Sequence, residues 1–373
     1  MLTLLAPNSA AAQAPNQQPE VTVEVVADGL NVPRGLAYDR LLGRVLVAES
    51  GAAAGNNGAC EEGFGGSVYC YGETGSIYQY SEHRWLPSTR ISTGLPSIWA
   101  PDIVDSYHVV LGLHDISLPL GTGIPVGVFG LSGPPSFRDA LEASHPRARE
   151  LATSAWILPG RGNVVPVGDL AEFEGSQNPH PSFLDTDPYG VETSGLKTIV
   201  ADAAGNTVVE VSATGREKLL AVIPDRITDD GFAEEPVPTT VVKGPDGALY
   251  IGELGAAFTP VGFARVWRLA PDGSLSVYAD GFTSIVSLTF DHQGRLVVLE
   301  MARNGYYQNP LPDGDRTGRL VRVEPDGTQT TLLTEPLENP GGVEAAGPGV
   351  FYVTNKSAHL GGEGQLLRVT VTG

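Results

Sequence analysis

The feature that most constrains the fold of this chain is a repeated unit of short, alternating strands. Each copy has a Pro-x-small or similar opening, a strand, a glycine turn, a second apolar strand, and an acid or amide at its end. Copies begin at Val32, Asp187, Val237, Phe282 and Asn339. A third strand follows each copy and a fourth leads to the next. Four strands recurring about every 45 to 57 residues are typical of a propeller blade.

The repeats predict an all-β fold, a six-bladed β-propeller of four-stranded blades, in one domain spanning residues 21–373. The gap between Pro96 and Asp185 has room for the second blade with an insertion at about 114–185. Short helices are expected there at 136–144, capped by Ser136, and at 169–174. A strand at 21–27 should complete the last blade, because a closed ring leaves no exposed sheet edge.

Composition supports this fold and excludes several classes of function. The 373 residues include 47 glycines and 29 prolines, typical of many turns, and carry a net charge of −20. Such an acidic chain repels phosphate backbones, so we expect no nucleic-acid partner. It has no apolar run of about 18 residues, so no membrane span is expected. We expect a monomer with an unidentified protein or small-molecule partner.

The N-terminal residues and the two cysteines predict export. Residues 1–20 resemble the end of a signal peptide and a linker, with an A-x-A cleavage pattern at Ala12-Gln13-Ala14. Cys60 and Cys70 lie ten residues apart in a glycine-rich stretch. In an exported protein they would form a local disulfide, and two unpaired structural cysteines are the alternative. The expected location is therefore secreted or periplasmic.

The order of several segments resembles that of a known family. The segments are GLNVPRGLAYD, ACEEG with CYGETGSIYQY, GDLAEFEGSQNP, DPYGVE and VPTTV. In this order, over about residues 21–373, they are similar to the ScyD/ScyE family of exported bacterial propeller proteins. The resemblance implies a secreted six-bladed propeller with NHL-like repeats and no securely assigned reaction.

A first enzymatic alternative is a calcium-dependent lactonase or hydrolase. In propellers, ligands lie over the central channel, and calcium needs several oxygen ligands there. The candidate binding positions at the channel mouth are Arg34, Tyr189, Thr239 and Ser284, with Gly341 in the last copy. None is a carboxylate, which argues against a calcium site. Their differences in chemistry are what a binding site would show, or they are positions without constraint.

A second alternative is a quinone-dependent sugar dehydrogenase. That chemistry needs a histidine base and an arginine or lysine for the quinone carboxylates. His108, His114 and His359 are the histidines that could lie at the channel or its rim. A histidine without a catalytic role is the competing interpretation for each of them.

The polar residues that end the second strands have two interpretations. They are Glu49, Asp202, Glu253, Glu300 and Asn355. Five oxygens at equivalent positions could surround a cation, and these are the only metal candidates in the chain. Alternatively, each accepts hydrogen bonds from backbone N–H groups in the next turn of its own blade. Repetition in every blade favours the structural interpretation.

These observations together predict an exported, non-catalytic binding or accessory propeller. No cofactor is assigned to it, and calcium is the cation that stays under consideration. The rival class is an enzyme with a site at the channel mouth.

Overall fold

The chain folds as an all-β propeller. In this computed structural model, the residues described are 19–53, 58, 60–63, 66–101, 110–180, 183–256, 258–306 and 314–372. The expected signal-peptide remnant and His108 lie outside them. The strands form six large antiparallel sheets and one two-stranded hairpin, Arg226–Ile227 with Ala233–Glu234.

The first strand of every sheet lines the centre of the molecule. In chain order these strands, which we use to number sheets 1 to 6, are Pro33–Asp39, Leu113–Ser117, Pro188–Ser194, Pro238–Lys243, Ile285–Phe290 and Gly342–Gly347. Each first strand packs against the first strands of the two neighbouring sheets, and the last packs against the first, so that the ring is closed.

The remaining strands extend outward in chain order. The second strands are Arg44–Glu49, Val126–Phe129, Lys197–Asp202, Leu249–Glu253, Leu296–Glu300 and Val350–Asn355. The third strands are Val68–Ser81, Thr153–Ile157, Thr207–Val211, Ala264–Leu269, Arg319–Val323 and Gly364–Thr372. The fourth strands are Thr89–Trp99, Val164–Asp169, Glu217–Val222, Leu275–Phe282, Gln329–Leu333 and, in sheet 6, Glu20–Leu30.

The expectation of six four-stranded blades is wrong in its strand count, because only five of the six sheets have four strands. Sheets 2 to 6 have four strands each, and sheet 1 has seven. In sheet 1 the short strands Cys60–Glu62 and Val110–Leu111 pair with the long third and fourth strands, and Gly160–Arg161 joins its outer edge in parallel. The long third strand gives Cys60–Glu62 an edge to pair with, and the long fourth strand pairs with the other two extra strands.

The N-terminal strand completes sheet 6, as the sequence predicts. Glu20–Leu30 pairs antiparallel with Gly364–Thr372 from Glu20 opposite Thr372 to Leu30 opposite Gly364. Val21 and Val23 pack against the apolar core of sheets 5 and 6. The two ends of the described chain therefore hold each other in place.

Residues 114–185, expected to form an insertion, hold most of sheet 2 together with two helices. Helix α1 spans Pro135–Glu142 and helix α2 spans Leu170–Gln177, with a 3₁₀ turn at Pro146–Glu150. The Asp169 side chain caps α2 by accepting the Glu172 N–H at 3.0 Å. The expected Ser136 cap is wrong. Helix α1 begins one residue earlier, at Pro135, and has no side-chain cap.

The core consists of apolar layers between adjacent sheets. Between sheets 2 and 3, for example, Val128 packs with Val200 and Val209, all fully buried. The next residues in these strands, such as Ile199 and Val208, pack in the layer between sheets 3 and 4, so the inner strands are buried on both faces. No helix among the described residues is long and apolar enough to cross a membrane.

The predicted disulfide is present. Cys60 and Cys70 are bonded to each other and lie opposite one another in the register of sheet 1. The bond attaches the short strand Cys60–Glu62 to the third strand of that sheet.

We predict that a charge on the inner side of the closing strand opens the ring, while one on its outer side is tolerated. Val23→Asp should lower the free energy of unfolding by about 1–3 kcal/mol, because Val23 packs on the core. Thr22→Asp, at an exposed neighbour in the same strand, is the matched control and should change it by less than about 0.5 kcal/mol. Urea unfolding measures both, and equal losses would contradict this account of closure.

Candidate functional site

The strand register gives equivalent positions around the central channel. We count from the residue that lies opposite the end of the second strand, such as Pro33 opposite Glu49 and Pro188 opposite Asp202. Position one is then Pro33, Leu113, Pro188, Pro238, Ile285 and Pro340. Positions two, three and five turn toward the channel.

Position two forms a buried layer across the channel. Its members, which we call the channel layer, are Arg34, His114, Tyr189, Thr239, Val286 and Gly341. All six are buried. Three of the four residues predicted from sequence to lie at the channel mouth are among them, but they are enclosed within the ring. Their role in binding stays a prediction.

Arg34 is the centre of the channel layer. Its guanidinium donates to the Tyr189 hydroxyl at 2.7 Å, to Ser50 Oγ at 3.0 Å and to the Val110 carbonyl at 3.0 Å. It also lies over the Tyr189 ring, 5.6 Å from the centroid. A fully buried guanidinium is stable only with such bonds, so Arg34 holds sheets 1 and 3 together.

His114 and Asp187 extend this network. The His114 ring lies 4.6 Å from the Tyr189 ring, and its Nδ1 is 3.3 Å from the Pro188 carbonyl and 3.7 Å from the Asp187 carboxyl. Burial, with Asp202 nearby, raises the pKa of Asp187 to about 7. The network is therefore a set of polar groups that satisfy one another inside the ring.

Ser284 is not equivalent to Arg34, so its predicted alignment is wrong by two positions. It has a left-handed backbone (φ 51°) and immediately precedes the first strand of sheet 5. Val32 and Val237, with φ of 48° each, occupy the same place before sheets 1 and 4. Val286 takes position two instead. Thr239 is at position two as expected and donates to the Ile285 carbonyl at 2.7 Å.

The strand-end acids and amide mostly brace their own sheets. Glu49, Asp202, Glu300 and Asn355 each accept, at 2.7 Å, a backbone N–H from the segment just before the first strand of the same sheet. The donor is not in the next turn, as the structural interpretation assumed, although Asp202 also accepts from Gly205 there.

Glu253 differs from the other strand-end residues because Pro236, at the equivalent donor position, has no N–H. It accepts instead from the Arg265 backbone at 2.9 Å and forms an ion pair with the Arg265 guanidinium. The same position can therefore serve a backbone bond or a side-chain pair.

The residues present do not fit the metal and quinone sites that the enzymatic alternatives require. Among the described residues, no three His, Cys, Asp or Glu side chains are placed to hold a metal ion. Arg34 and His114 do lie together, but both are buried against Tyr189, and the void beside them measures only about 10 Å³. A void of this size has no room for a quinone cofactor.

A larger cavity lies where the first strands end. Its volume is about 600 Å³, within the range of small-molecule sites. Its lining includes apolar residues such as Ala37, Leu118 and Val242 and polar ones such as Ser117, Thr240 and Ser287. Asp115 lines both this cavity and the small void, so the two are adjacent along the channel.

Four acidic residues line this cavity. Asp39 forms an ion pair with Arg44, and we call the other three the carboxyl trio: Asp115, Glu192 and Glu344. Asp115 accepts the N–H groups of Ile116 at 2.8 Å and Val191 at 3.0 Å. It lies over Gly35, where any Cβ would overlap the carboxyl group. Within the described part of the chain, none of the three forms an ion pair.

Burial raises the pKa of all three acids, and repulsion from neighbouring acids adds to this at Asp115 and Glu344. Burial is the main reason that the pKa of Asp115 is raised to about 7. Two backbone hydrogen bonds to the carboxyl lower the pKa, and repulsion from Glu192 raises it. Burial raises the pKa of Glu344 to about 8, and Glu192 and Asp115 add to this while Arg40 opposes it. Burial also raises the pKa of Glu192. Groups of this kind exchange protons with whatever binds beside them.

Sequence reasoning missed the trio, although a signal for two members was present. Glu192 and Glu344 both occupy position five. Each is the last residue of a Gly-Val-Glu triplet that begins at the fourth residue of its repeat copy. Comparison of the repeats beyond position two would have found them. Asp115 could not be found in this way, because it lies at position three of sheet 2, whose sequence matches the repeat poorly.

Comparisons with known proteins show the fold alone. No family profile and no curated protein matches the chain. Among solved structures, the soluble aldose sugar dehydrogenase from Escherichia coli, in its apo form, has a TM-score of 0.52 at 14% identity, over 94% of this chain and 99% of that one.

Two further solved structures have a similar fold. A luciferin-regenerating enzyme has a TM-score of 0.51 at 12% identity, over 95% of this chain and 97% of that one. A protein of unknown function from Bacteroides thetaiotaomicron has a TM-score of 0.51 at 10% identity, over 95% of this chain and 76% of that one. Identities this low carry no activity over to this chain.

We predict that the Tyr189 hydroxyl stabilises the fold through Arg34. Tyr189→Phe removes the acceptor of the 2.7 Å bond and should lower the free energy of unfolding by about 1–3 kcal/mol. Tyr278→Phe, at a half-exposed ring, should change it by less than about 0.5 kcal/mol. Denaturant unfolding measures the free energy of unfolding of both variants. An unchanged value in Tyr189→Phe would show that the hydrogen bond to Arg34 does not stabilise the fold.

We predict that Glu344 makes the fold less stable as the pH rises. An unfolded glutamate ionises near pH 4.5, whereas folded Glu344 stays protonated to about pH 8, so stability falls between these values. Glu344→Gln should match the wild type at pH 4 and exceed it at pH 9 by on the order of 1–3 kcal/mol. Urea unfolding at pH 4, 6 and 9 measures this. Glu62→Gln, at an exposed position, should show no such trend.

Proposed function

We propose that this chain is a non-catalytic binding propeller that takes a small organic cation in the 600 Å³ cavity at the end of the channel. The observation that carries the proposal is the carboxyl trio, three acids directed into one cavity with apolar residues in its walls. An uncompensated buried charge is costly, so the empty cavity favours protonated acids. A bound cation favours the ionised forms and releases protons.

The chemistry of the walls supports an organic cation over a metal ion. Calcium and magnesium need several oxygen ligands at short range, and the described residues offer no such group. An amine with an apolar body would place its charge at the trio and its body against residues such as Leu118 and Val242. Only the hydrophobic effect and charge pairing are needed for this, without a built coordination shell.

Export and an accessory role are part of the proposal. The Cys60–Cys70 disulfide supports an oxidising location, since disulfides persist outside the reducing cytosol. The resemblance to the ScyD/ScyE family supports the same location and a role without a reaction of its own. Membership of that family stays a proposal.

The test compares a cationic probe with its uncharged analogue, 4-phenylbutylammonium with 4-phenylbutanol, by isothermal titration calorimetry. We expect the amine to bind about tenfold or more tightly at pH 9 than at pH 6, because a cavity acid must lose its proton before it pairs with the ligand. The alcohol should bind weakly and without this pH dependence. Equal binding of both probes would refute the proposal.

Variants connect this binding to the trio. Glu192→Gln with Glu344→Gln should lower the amine affinity at pH 9 by about tenfold or more, since each lost charge pair is worth a substantial part of the binding free energy. Asp272→Asn, in an exposed turn far from the cavity, is the control and should have no effect. Mass spectrometry should recover the amine unchanged. Its conversion would instead favour the enzymatic alternative.

A further inference from the structure

A cluster of large apolar side chains is exposed on the loops between sheets 2 and 5. Its members, which we call the loop patch, are Phe183, Leu184, Ile227, Phe232, Phe258 and Val261. They are between 43% and 81% exposed. Soluble proteins expose single apolar residues often, but clusters of this kind mark interaction sites.

Hydrogen bonds and an ion pair link the three segments that carry the patch. His180 Nε2 lies 3.2 Å from the Asp225 carboxyl, which connects the segment that follows helix α2 to the hairpin. Arg226 donates to the Phe263 carbonyl at 2.7 Å and lies 3.8 Å over the Phe263 ring. Thr259 donates to Glu234 at 3.2 Å. The segments therefore form one surface.

The hairpin turn holds Phe232 outward. The Phe232 N–H donates to Thr228 Oγ1 at 3.0 Å, and the Thr228 N–H donates to the Phe232 carbonyl at 2.8 Å. These backbone bonds fix the turn, and the Phe232 side chain on it is 67% exposed. This arrangement is pre-formed, which reduces the entropy lost on binding.

The rim of the patch is acidic. Residues 225–235 contain five acids and a single base, Arg226, whose guanidinium is directed inward onto Phe263. Asp229, Asp230 and Glu235 form no ion pair within the described residues. Glu235 lies near enough to Asp185 to contribute to its raised pKa, so the negative rim extends past the hairpin.

The negative charge of the rim determines which kind of partner the patch can bind. A second copy of the chain would bring two acidic rims together, because a symmetric contact uses the same surface on both copies. An anionic lipid surface would be repelled for the same reason. A segment with apolar anchors flanked by lysine or arginine satisfies both the apolar centre and the rim.

We propose that the loop patch docks a basic, amphipathic segment of a partner protein, with its apolar side chains on Phe232 and Phe258 and its cationic ones on Asp229 and Asp230. This interaction is separate from the channel cavity and does not depend on what the cavity binds.

The test uses a 15-residue amphipathic peptide of leucine, phenylalanine and lysine, with two comparison peptides. One has the same composition in scrambled order, and the other has glutamate in place of lysine. Fluorescence polarisation at about 150 mM salt, where long-range attraction is screened, should show saturable binding of the first peptide only. Equal binding of the scrambled peptide would overturn the proposal, because it would reduce the effect to net charge.

Two double variants separate the two parts of the surface. Phe232→Ser with Phe258→Ser should weaken binding at least tenfold, and Asp229→Asn with Asp230→Asn should weaken it several-fold. The controls are Leu196→Ser, an exposed apolar residue on another loop, and Asp272→Asn, an exposed acid. Both should bind as the wild type does, and unchanged melting temperatures would show that all four variants fold. Wild-type affinity in the phenylalanine variant would overturn the proposal.

The other occupants are outcomes of the same experiment. Sedimentation showing a wild-type dimer that the phenylalanine variant abolishes would assign the patch to a second copy and overturn the proposal. If the wild type binds phosphatidylglycerol vesicles and the phenylalanine variant does not, the loop patch is a membrane-binding surface. That result would also overturn the proposal.

Discussion

The structure depends on the antiparallel pairing of Glu20–Leu30 with Gly364–Thr372. Sheets contact mainly their neighbours around the ring, and contacts across the channel, such as that of Arg34 with Tyr189, form only when the circle is closed. The pairing joins residues more than 300 positions apart in sequence, and such a long closure costs entropy that local strand pairs do not recover. Once closed, the ring brings the six first strands together, and these alone create the channel and its two different ends.

The strand pattern could be read from the sequence, because it depends on local alternation and on turns that each copy repeats. The closing strand was predicted because a closed ring leaves no exposed sheet edge, and helix α2 was predicted over 169–174. The extra strands of sheet 1 could not be, since Gly160–Arg161 reaches that sheet from the outer hairpin of the next one. The register of the strands was predicted less accurately than the strands themselves. A two-residue error placed Ser284 at a channel position that belongs to Val286.

The site was predicted only in part, for a physical reason. Arg34 and Tyr189 were chosen as chemically unusual members of one repeat position, and the structure places them 2.7 Å apart. Their burial was not visible in the sequence, because it arises when six strands converge. The carboxyl trio combines position five of sheets 3 and 6 with position three of sheet 2. No single repeat position contains it, and only the ring brings the three acids into one cavity.

The channel layer has a consequence for how a molecule can enter. Because Arg34, His114 and Tyr189 are buried across the channel axis, the described residues close the channel at that level. The cavity then opens to solvent only at its other end. A ligand therefore cannot pass through the ring. It enters and leaves by the same opening, with its charged group first. Only the charged head has to fit, so the rest of the molecule can stay outside, attached to a polymer or a surface. Under the proposed function, the cavity therefore accepts a cation at the end of a larger molecule as well as a free one.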